Sequence, residues 1–296
     1  MTAPVPLSLL AGVVDGLTLA PHADWPSDPP NVYRVQGAHA WAMVDAGWGR
    51  EEDVAALEAW LDASPPRGRP AALFVTHAHR DHVGGSPYLA RRWGLAPRAL
   101  PAEAATAARH GIAFDFAPLA PGESLDLGGG IRLTAVPTPG HTPGSLAVHL
   151  TSPGGDVLFT GDTVVGRHSS WVGPPDGDLD AYLETLARLG DPQRPYAGAL
   201  LAPGHGPAGA QAGPVALALR RRRLEREAEI LRLLPLHPTP RALVVALYGA
   251  GEGLVLGPGG VAERTVFAHL ERLVRLGRAV RLGGEADFGL QPFAPA

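Results

Sequence analysis

Short apolar runs alternate with Gly- and Pro-rich turns from the N-terminus to about residue 210. Such runs, bounded by turn residues, are typical of β-strands. The sequence therefore predicts strands at residues 32–35, 40–44, 72–75, 131–136, 146–150, 156–160 and 197–201. Val54, Leu57 and Leu61 fall on one face of a helix predicted over residues 51–61. Many strands with interspersed helices predict a layered α/β or α+β domain.

From Pro214 onward the apolar residues recur at helical spacing, and three helices are predicted. In the first, one face carries Leu217, Leu224, Ala228 and Leu231, and the arginines and glutamates are expected on the other face. The third helix has an apolar stripe made of Val266, Phe267, Leu270, Leu273 and Val274.

The ends of the later helices also have sequence signals. Thr239 is a predicted N-cap with Pro240 at the first helical position, and Gly277 is a predicted C-terminal stop. After Gly277, the stretch AVRLGGEADFGL predicts two short strands around a Gly-rich turn. Helices followed by a small hairpin have the outline of a winged helix. We therefore expect one domain at residues 1–212 and a second at 213–296, with the Arg-rich helix as connector.

The composition is that of an ordinary globular protein, with 296 residues, 45% hydrophobic and 18% charged. A formal net charge of -4 gives no global basic field for nucleic acid. Because there are no cysteines, disulfides, thiolate ligands and cysteine nucleophiles are excluded. The sequence has no basic N-terminal region before an apolar stretch and no run near the roughly 20 residues of a membrane helix. A cytoplasmic protein without membrane association is expected.

One loop concentrates side chains that bind metals. His77, His79, Asp81 and His82 lie in THAHRDH, directly after the strand predicted at residues 72–75. Imidazoles and carboxylates at this density are ligands for first-row metals. A polar surface loop, or histidines paired within the core, is the alternative interpretation. A lone histidine favours that alternative, whereas this cluster predicts a metal site.

Three more residues occur in equivalent settings. His141 lies between two predicted strands, and Asp162 and His205 each follow one, all beside glycines that let the backbone approach closely. Singly, each would be an ordinary turn residue. Together they complete a ligand set.

These motifs, HAHRDH followed by GH, GD and GH, resemble the metallo-β-lactamase superfamily over nearly all of the first domain. The resemblance implies an αββα sandwich, an α+β fold with its site at the strand edges. It implies that His77, His79 and His141 bind one metal, that Asp81, His82 and His205 bind a second, and that Asp162 bridges both. Asp81 and Asp162 are the predicted catalytic residues. Asp45 matches a position whose side chain supports the metal ligands without binding the metal itself.

Two such cations lower the pKa of a shared water, so that a metal-bound hydroxide exists near neutral pH. Zinc is the predicted metal, and iron or manganese also suit nitrogen and oxygen ligands. The other histidines, expected to be structural or on the surface, are His22, His39, His110, His149, His168, His237 and His269.

The whole chain is most similar to the β-lactamase-like protein 2 group, which joins this site to a C-terminal winged helix. Three functions stay open: hydrolysis of an ester, thioester or lactone; cleavage of single-stranded RNA as a phosphodiesterase; and nucleic-acid-binding regulation through the winged helix with a ligand-sensing metal domain. The arginines at residues 220–223 are interpreted as a solvated helix face, with Arg221 and Arg223 spaced to pair with Glu225 and Glu227. A recognition helix would offer Arg264, His269, Arg272 and Arg275. Winged helices also wall pockets or dimerise, so a homodimer is a further candidate.

Overall fold

Two facing β-sheets form the centre of the computed structural model, which describes residues 4–22, 29–112, 115–166, 169–251, 257–284 and 287–296. The strands of the first sheet, in spatial order, are β1 (Val5–Leu10), β2 (Val14–Thr18), β3 (Asn31–Gln36), β4 (Ala40–Val44), β5 (Arg69–Phe74), β6 (Arg98–Ala99) and β7 (Ala117–Pro118). The second sheet has the order β12-β11-β10-β9-β8, with β8 (Ser124–Gly128), β9 (Ile131–Pro137), β10 (Leu146–Thr151), β11 (Val157–Gly161) and β12 (Leu200–Pro203).

Five of the described helices come between strands of the two sheets in the sequence, and the last three follow the second sheet. They are α1 (Glu51–Ala63), α2 (Arg80–Val83), α3 (Ser86–Trp93), α4 (Glu103–Arg109), α5 (Leu179–Leu189), α6 (Ala212–Leu233), α7 (Pro240–Tyr248) and α8 (Val261–Arg275). Within the described residues, none of them combines the length and apolar character required to cross a lipid bilayer.

Side-chain alternation along the strands produces four layers. In β4, Ala40, Ala42 and Val44 pack between the two sheets, whereas Trp41 and Met43 pack on the outer face with α1 and α3. The second sheet repeats this arrangement, since its outer face packs against α5 and α6. The αββα sandwich expected from the resemblance is therefore confirmed.

All seven predicted strands are present, but one was placed too early. The strand predicted at residues 197–201 is β12, which begins at Leu200. The carbonyl oxygens of Ala197 and Ala199 accept hydrogen bonds from Gly213 and Ala212, so this segment is held by the start of α6 before the strand begins. Strands β1, β2, β6, β7 and β8 were not predicted.

The C-terminal segment forms its own apolar cluster from α6, α7, α8 and a two-stranded sheet of β13 (Ala279–Arg281) and β14 (Phe293–Pro295). Thr239 caps α7 as predicted, accepting a hydrogen bond from the Ala242 amide at 3.2 Å. Gly277 follows the end of α8 with φ +66°, also as predicted. The division at residue 212 falls in the first turn of α6 and, like the winged helix, stays a prediction.

The position predicted for the second strand of the C-terminal hairpin was wrong. The residues expected to form it include a 3-10 turn at Phe288–Leu290, and the strand that pairs with β13 starts only at Phe293. The Asp287 side chain accepts a hydrogen bond from the Gly289 amide at 2.8 Å, which stabilises the turn in place of a strand.

The apolar face predicted for α6 was wrong in part, since of its four residues only Leu224 and Leu231 are half-buried and pack against the apolar clusters. Leu217 and Ala228 are exposed, whereas Arg223 and Glu227 are buried together with Ile230. The true buried stripe lies about one residue, or roughly 100°, around the helix from the predicted one. Its middle turns are polar because they contact side chains of other segments, which apolar periodicity does not reveal.

Candidate metal centre

The seven predicted ligands lie at one edge of the sandwich. His77 follows β5, Asp162 follows β11 and His205 follows β12, while His141 lies in the turn between β9 and β10. Strands β11 and β12 are parallel and β10 is antiparallel to β11, so the end of β11 and the start of β10 share this edge. The helix α2 begins right after His79 and adds Asp81 and His82.

The first group consists of three histidines. His79 Nδ1 lies 3.1 Å from His77 Nε2 and 3.0 Å from His141 Nε2. Three imidazole nitrogens thus point at one another, and their ligand atoms are close enough to share a single cation.

The second group consists of Asp81, His82 and His205. His205 Nε2 lies 3.2 Å from His82 Nε2 and 3.1 Å from Asp81 Oδ2. This arrangement offers two nitrogens and one carboxylate oxygen to a second cation.

Asp162 lies between the groups. Its Oδ1 is 3.3 Å from His82 Nε2 and 3.5 Å from His205 Nε2, and its Oδ2 is 3.8 Å from His141 Nε2. Oδ1 is buried and accepts no hydrogen bond from the described residues. A Cβ at Gly204 would lie 2.5 Å from Oδ1, so only glycine allows this approach. One carboxylate therefore faces both groups.

Hydrogen bonds on the far side of the rings hold three imidazoles in one orientation. His82 Nδ1 donates to Asp45 Oδ2 at 2.7 Å, and His141 Nδ1 donates to the Trp171 carbonyl oxygen at 2.6 Å. His77 Nδ1 lies 3.2 Å from Thr76 Oγ1, which serves as its acceptor. Because these nitrogens carry the protons, the converging Nε2 atoms present lone pairs. Converging lone pairs and an unpaired carboxylate oxygen fit a cation.

Asp45 lies behind the second group, as expected. Besides His82 it accepts hydrogen bonds from the Thr76 amide and hydroxyl, both at 2.8 Å. Its backbone has φ +63°, a conformation that a non-glycine residue adopts only where its surroundings enforce it. Asp45 therefore joins the end of β4 to the loop that contains the histidines.

Charges differ between the groups. Burial is the main cause that lowers the pKa of His141 to about 4, and burial also holds the pKa of His77 well below its usual value. Burial acts in the same direction on His205, but the carboxylates of Asp162 and Asp81 outweigh it and raise the pKa to about 9. His77 and His141 are thus neutral, whereas the carboxylates around the second group favour a positive charge on His205.

Asp176 is a site residue that sequence reasoning missed. Its buried Oδ2 accepts from His79 Nε2 at 3.4 Å and from His110 Nε2 at 2.7 Å, and Oδ1 pairs with Arg109. His110 was expected to have no such context, and that expectation was wrong: His79, His110 and Asp176 also form a cluster of metal-binding type. The contacts join residues far apart in sequence, so no local signal pointed to them.

Among the other histidines, His168 lies outside the described residues. In the part of the chain that the structure describes, the clusters of metal-binding type contain none of the other histidines that were set aside.

Glu103, at the start of α4, was also missed. Oε2 accepts from the Ala78 amide at 2.7 Å, and Oε1 accepts from the Gly144 amide at 2.8 Å and from the Thr142 hydroxyl. Burial raises the pKa of Glu103, although these donors favour its ionised form. Through these hydrogen bonds, its carboxylate joins the loop that contains His77 to the loop that contains His141.

The loop after Asp162 contacts the first group directly. Ser170 Oγ donates to the Asp162 carbonyl oxygen, and the Trp171 ring stacks on the His79 imidazole with centroids 5.6 Å apart. Arg223 of α6 in turn donates to the Ser170 carbonyl oxygen. The C-terminal segment therefore reaches the metal centre through this loop.

The basic side chains of α8, the helix that would be the recognition helix, contact other parts of the protein. Arg272 and Arg275 both pair with Asp180, and Arg264 donates to the Pro174 carbonyl oxygen at 3.0 Å. His269 is fully buried. A recognition helix would offer these four side chains, but His269 is buried and the three arginines contact the first part of the chain, with the Arg275 side chain still 51% exposed.

Comparisons with known proteins agree with this geometry. A family model described as "Metallo-beta-lactamase superfamily" matches residues 25–205, which include all seven predicted ligands. A hydroxyacylglutathione hydrolase from Xylella fastidiosa (strain 9a5c) is 34% identical over 171 residues, covering 57% of this chain and 62% of that protein. One from Acidiphilium cryptum (strain JF-5) is 36% identical over 160 residues, covering 52% and 60%. The chain thus matches about three fifths of the length of these relatives.

Solved structures resemble a larger share of the chain. A beta-lactamase domain protein from Burkholderia ambifaria has a TM-score of 0.80 at 24% identity, covering 97% of this chain and 92% of that chain. A metallo-beta-lactamase family protein from Thermus thermophilus has a TM-score of 0.73 at 24% identity, covering 100% and 99%. These likenesses concern the fold, and they extend over the C-terminal helices.

Proposed function

Because the chain belongs to the metallo-beta-lactamase superfamily, we propose that it is a metal-dependent hydrolase that works with two divalent cations. The observation that carries this proposal is the position of Asp162, whose two oxygens face two separate groups of ligand atoms. A single structural metal would need only one of these groups.

The proposed ligands follow the two groups. His77, His79 and His141 hold the first cation, Asp81, His82 and His205 hold the second, and Asp162 bridges them. Asp81 and Asp162 remain the proposed catalytic residues. Zinc suits these nitrogen and oxygen ligands, and iron or manganese is an alternative that metal analysis distinguishes.

When bound, two such cations lower the pKa of a water molecule and polarise the bond under attack. The protein's own contribution is orientation. Asp45, Thr76 and the Trp171 carbonyl fix the imidazoles of the ligands from behind. Trp171 also covers His79 and limits the access of bulk water to that ring.

We propose a thioester as the substrate class. The relatives are named for hydrolysis of a hydroxyacylglutathione, in which the acyl group is attached to sulfur. The match covers about three fifths of those proteins. We therefore propose only the type of bond that is cleaved, and not glutathione as the thiol part of the substrate. Esters and lactones share the attacked carbonyl. The RNA alternative is less favoured because Arg272 and Arg275 are already paired with Asp180.

The substrate class is tested with protein purified without added metal. We expect about two metal ions per chain by elemental analysis and turnover of acyl thioesters that stops with chelator and returns with zinc. Lactones, esters, phosphodiesters and single-stranded RNA are assayed in parallel. Chelator-sensitive RNA cleavage without thioester turnover would replace the thioesterase proposal with the nuclease. Unchanged turnover after complete metal removal would overturn both.

Asp176→Asn is expected to weaken metal binding by the first group by about 10-fold to 100-fold, because His79 loses the carboxylate that orients its ring. The affinity is measured by competition with a chromophoric chelator. Asp178→Asn is the matched control: it makes the same change two residues away, and asparagine caps α5 as well as aspartate does. Equal affinities for the two variants would contradict the role of Asp176.

A further inference from the structure

Arg223 is a buried cation without a carboxylate partner. It is 5% exposed, and no ion pair joins it to an acidic side chain of the described residues. Glu227, one turn further along α6, instead pairs with Arg272. The guanidinium donates to the Ser170 carbonyl oxygen, and its Nε finds no hydrogen-bond acceptor in the described part of the chain. The guanidinium also lies over the Tyr182 ring, with Cζ 5.6 Å from the ring centroid. Burying this charge without a carboxylate to balance it is unfavourable.

Arg223 lines a cavity of about 230 Å³ between the loop after Asp162 and the C-terminal helices. Its other walls include Ser169, Trp171, Tyr248 and Thr265. None of the described residues that line it is acidic. The cavity thus places one cation and a few hydroxyl groups in a largely apolar wall that includes Val261 and Ala262. Such a wall suits a small organic group that carries an anionic end.

The cavity adjoins the metal centre. Trp171 lines it and stacks on His79, and Ser170 lines it and donates to the Asp162 carbonyl oxygen. Trp171 and Ser170 thus form a wall that the cavity shares with the metal centre. Arg223 lies beyond residues 25–205, the region matched by the family model.

We propose that this cavity binds an anionic group of the substrate, a carboxylate paired with Arg223, while the scissile bond lies at the metal centre. This inference rests on the proposed hydrolase function and specifies its substrate. A planar carboxylate matches the terminal fork of a guanidinium, and Arg223 is the only cationic side chain among the described residues that line the cavity.

The test compares pairs of thioesters that differ only in charge. One pair has the charge on the acyl side: the N-acetylcysteamine thioesters of succinate and of succinamate. The other has it on the thiol side: the S-acetyl derivatives of 3-mercaptopropionate and 3-mercaptopropionamide. S-acetyl-2-mercaptoethyl phosphate distinguishes phosphate from carboxylate. We expect the carboxylate member of one pair to have the higher kcat/KM, and Arg223→Met to reduce that preference about 10-fold to 100-fold.

Arg222→Met is the matched control, since it removes an exposed arginine from the neighbouring position of α6. A merely structural role of Arg223 would lower kcat/KM for both members of a pair alike and leave their ratio unchanged. Should Arg223→Met fail to fold, Ala262→Phe fills the cavity with Arg223 intact and is expected to abolish the same preference. The proposal would be overturned if the wild-type protein had nearly equal kcat/KM values for the charged and neutral members of both pairs. It would also be overturned if Arg222→Met lost the charge preference as much as Arg223→Met does. Preference for the phosphate compound alone would also overturn the assignment to carboxylate.

A binding experiment tests this inference independently of the proposed hydrolase function. Calorimetry with glutarate and its neutral diamide is carried out on the metal-loaded wild-type protein and on Arg223→Met. Glutarate binding that depends on Arg223 would support the cavity even if no thioester were hydrolysed. Thioester hydrolysis without charge preference and without Arg223-dependent glutarate binding would remove the cavity proposal and leave the hydrolase.

Discussion

Asp162→Asn is expected to lose metal and hydrolytic activity together. Its carboxylate oxygens lie 3.3 Å from His82 Nε2 and 3.8 Å from His141 Nε2, so one side chain faces both groups. Asparagine keeps the shape but loses the negative charge, and it presents an N–H donor where an oxygen lone pair is required. We expect at most one metal per chain by elemental analysis. The loss in kcat/KM should exceed the about 10-fold to 100-fold typical of a supporting residue.

The control for this variant is Asp126→Asn in β8. Asp126 forms an exposed ion pair with Arg132 at 3.0 Å, so its replacement should leave metal content and rate unchanged. His237→Ala is likewise expected to leave turnover nearly unchanged. Two metals per chain and a wild-type rate in Asp162→Asn would rule out the bridging role.

The parts of the fold predicted from sequence are those with local signals. The predicted strands are apolar runs between turn residues, and Thr239 and Gly277 have residue types with one dominant use at helix ends. The side chains of the metal centre could be proposed because they lie in the loops that follow or join predicted strands. Their convergence required only that these loops share an edge.

The residues missed act through contacts between distant segments. Asp176 meets His79 across 97 positions of the chain, and Arg223 meets Ser170 across 53. Asp176 has no unusual neighbourhood in sequence. Arg223 lies in the arginine run at residues 220–223, where its expected solvated position and its pairing with Glu227 were wrong. On α6, the leucines at positions 217 and 224 suggested a buried face, but the polar partners of Arg223 and Glu227 determine which face is buried. Apolar periodicity cannot detect a helix whose buried face is partly ionic.

Glu103→Ala is expected to destabilise the protein by about 3–5 kcal/mol, because three buried neutral donors lose their acceptor and each unpaired donor costs about 1–3 kcal/mol. The amides of Ala78 and Gly144 and the Thr142 hydroxyl would lose their acceptor. A Cβ at Gly144 would lie 2.6 Å from the Glu103 amide nitrogen, so the loop of His141 is packed too closely against the start of α4 to rearrange freely. The free energy of unfolding is measured by urea denaturation of the metal-loaded and metal-free proteins.

The comparison of Glu103→Ala with Glu103→Gln identifies the cause. Glutamine keeps one acceptor oxygen, so it should cost less, about 1–3 kcal/mol for the donor left unpaired. Glu184→Ala, an exposed position on α5, is the control and should change stability by no more than about 0.5 kcal/mol. Because Glu103 joins the loops of His77 and His141, its loss should also weaken the first metal group in protein that remains folded. Stability and metal affinity equal to those of the Glu184 variant would show that the loops are held by other contacts.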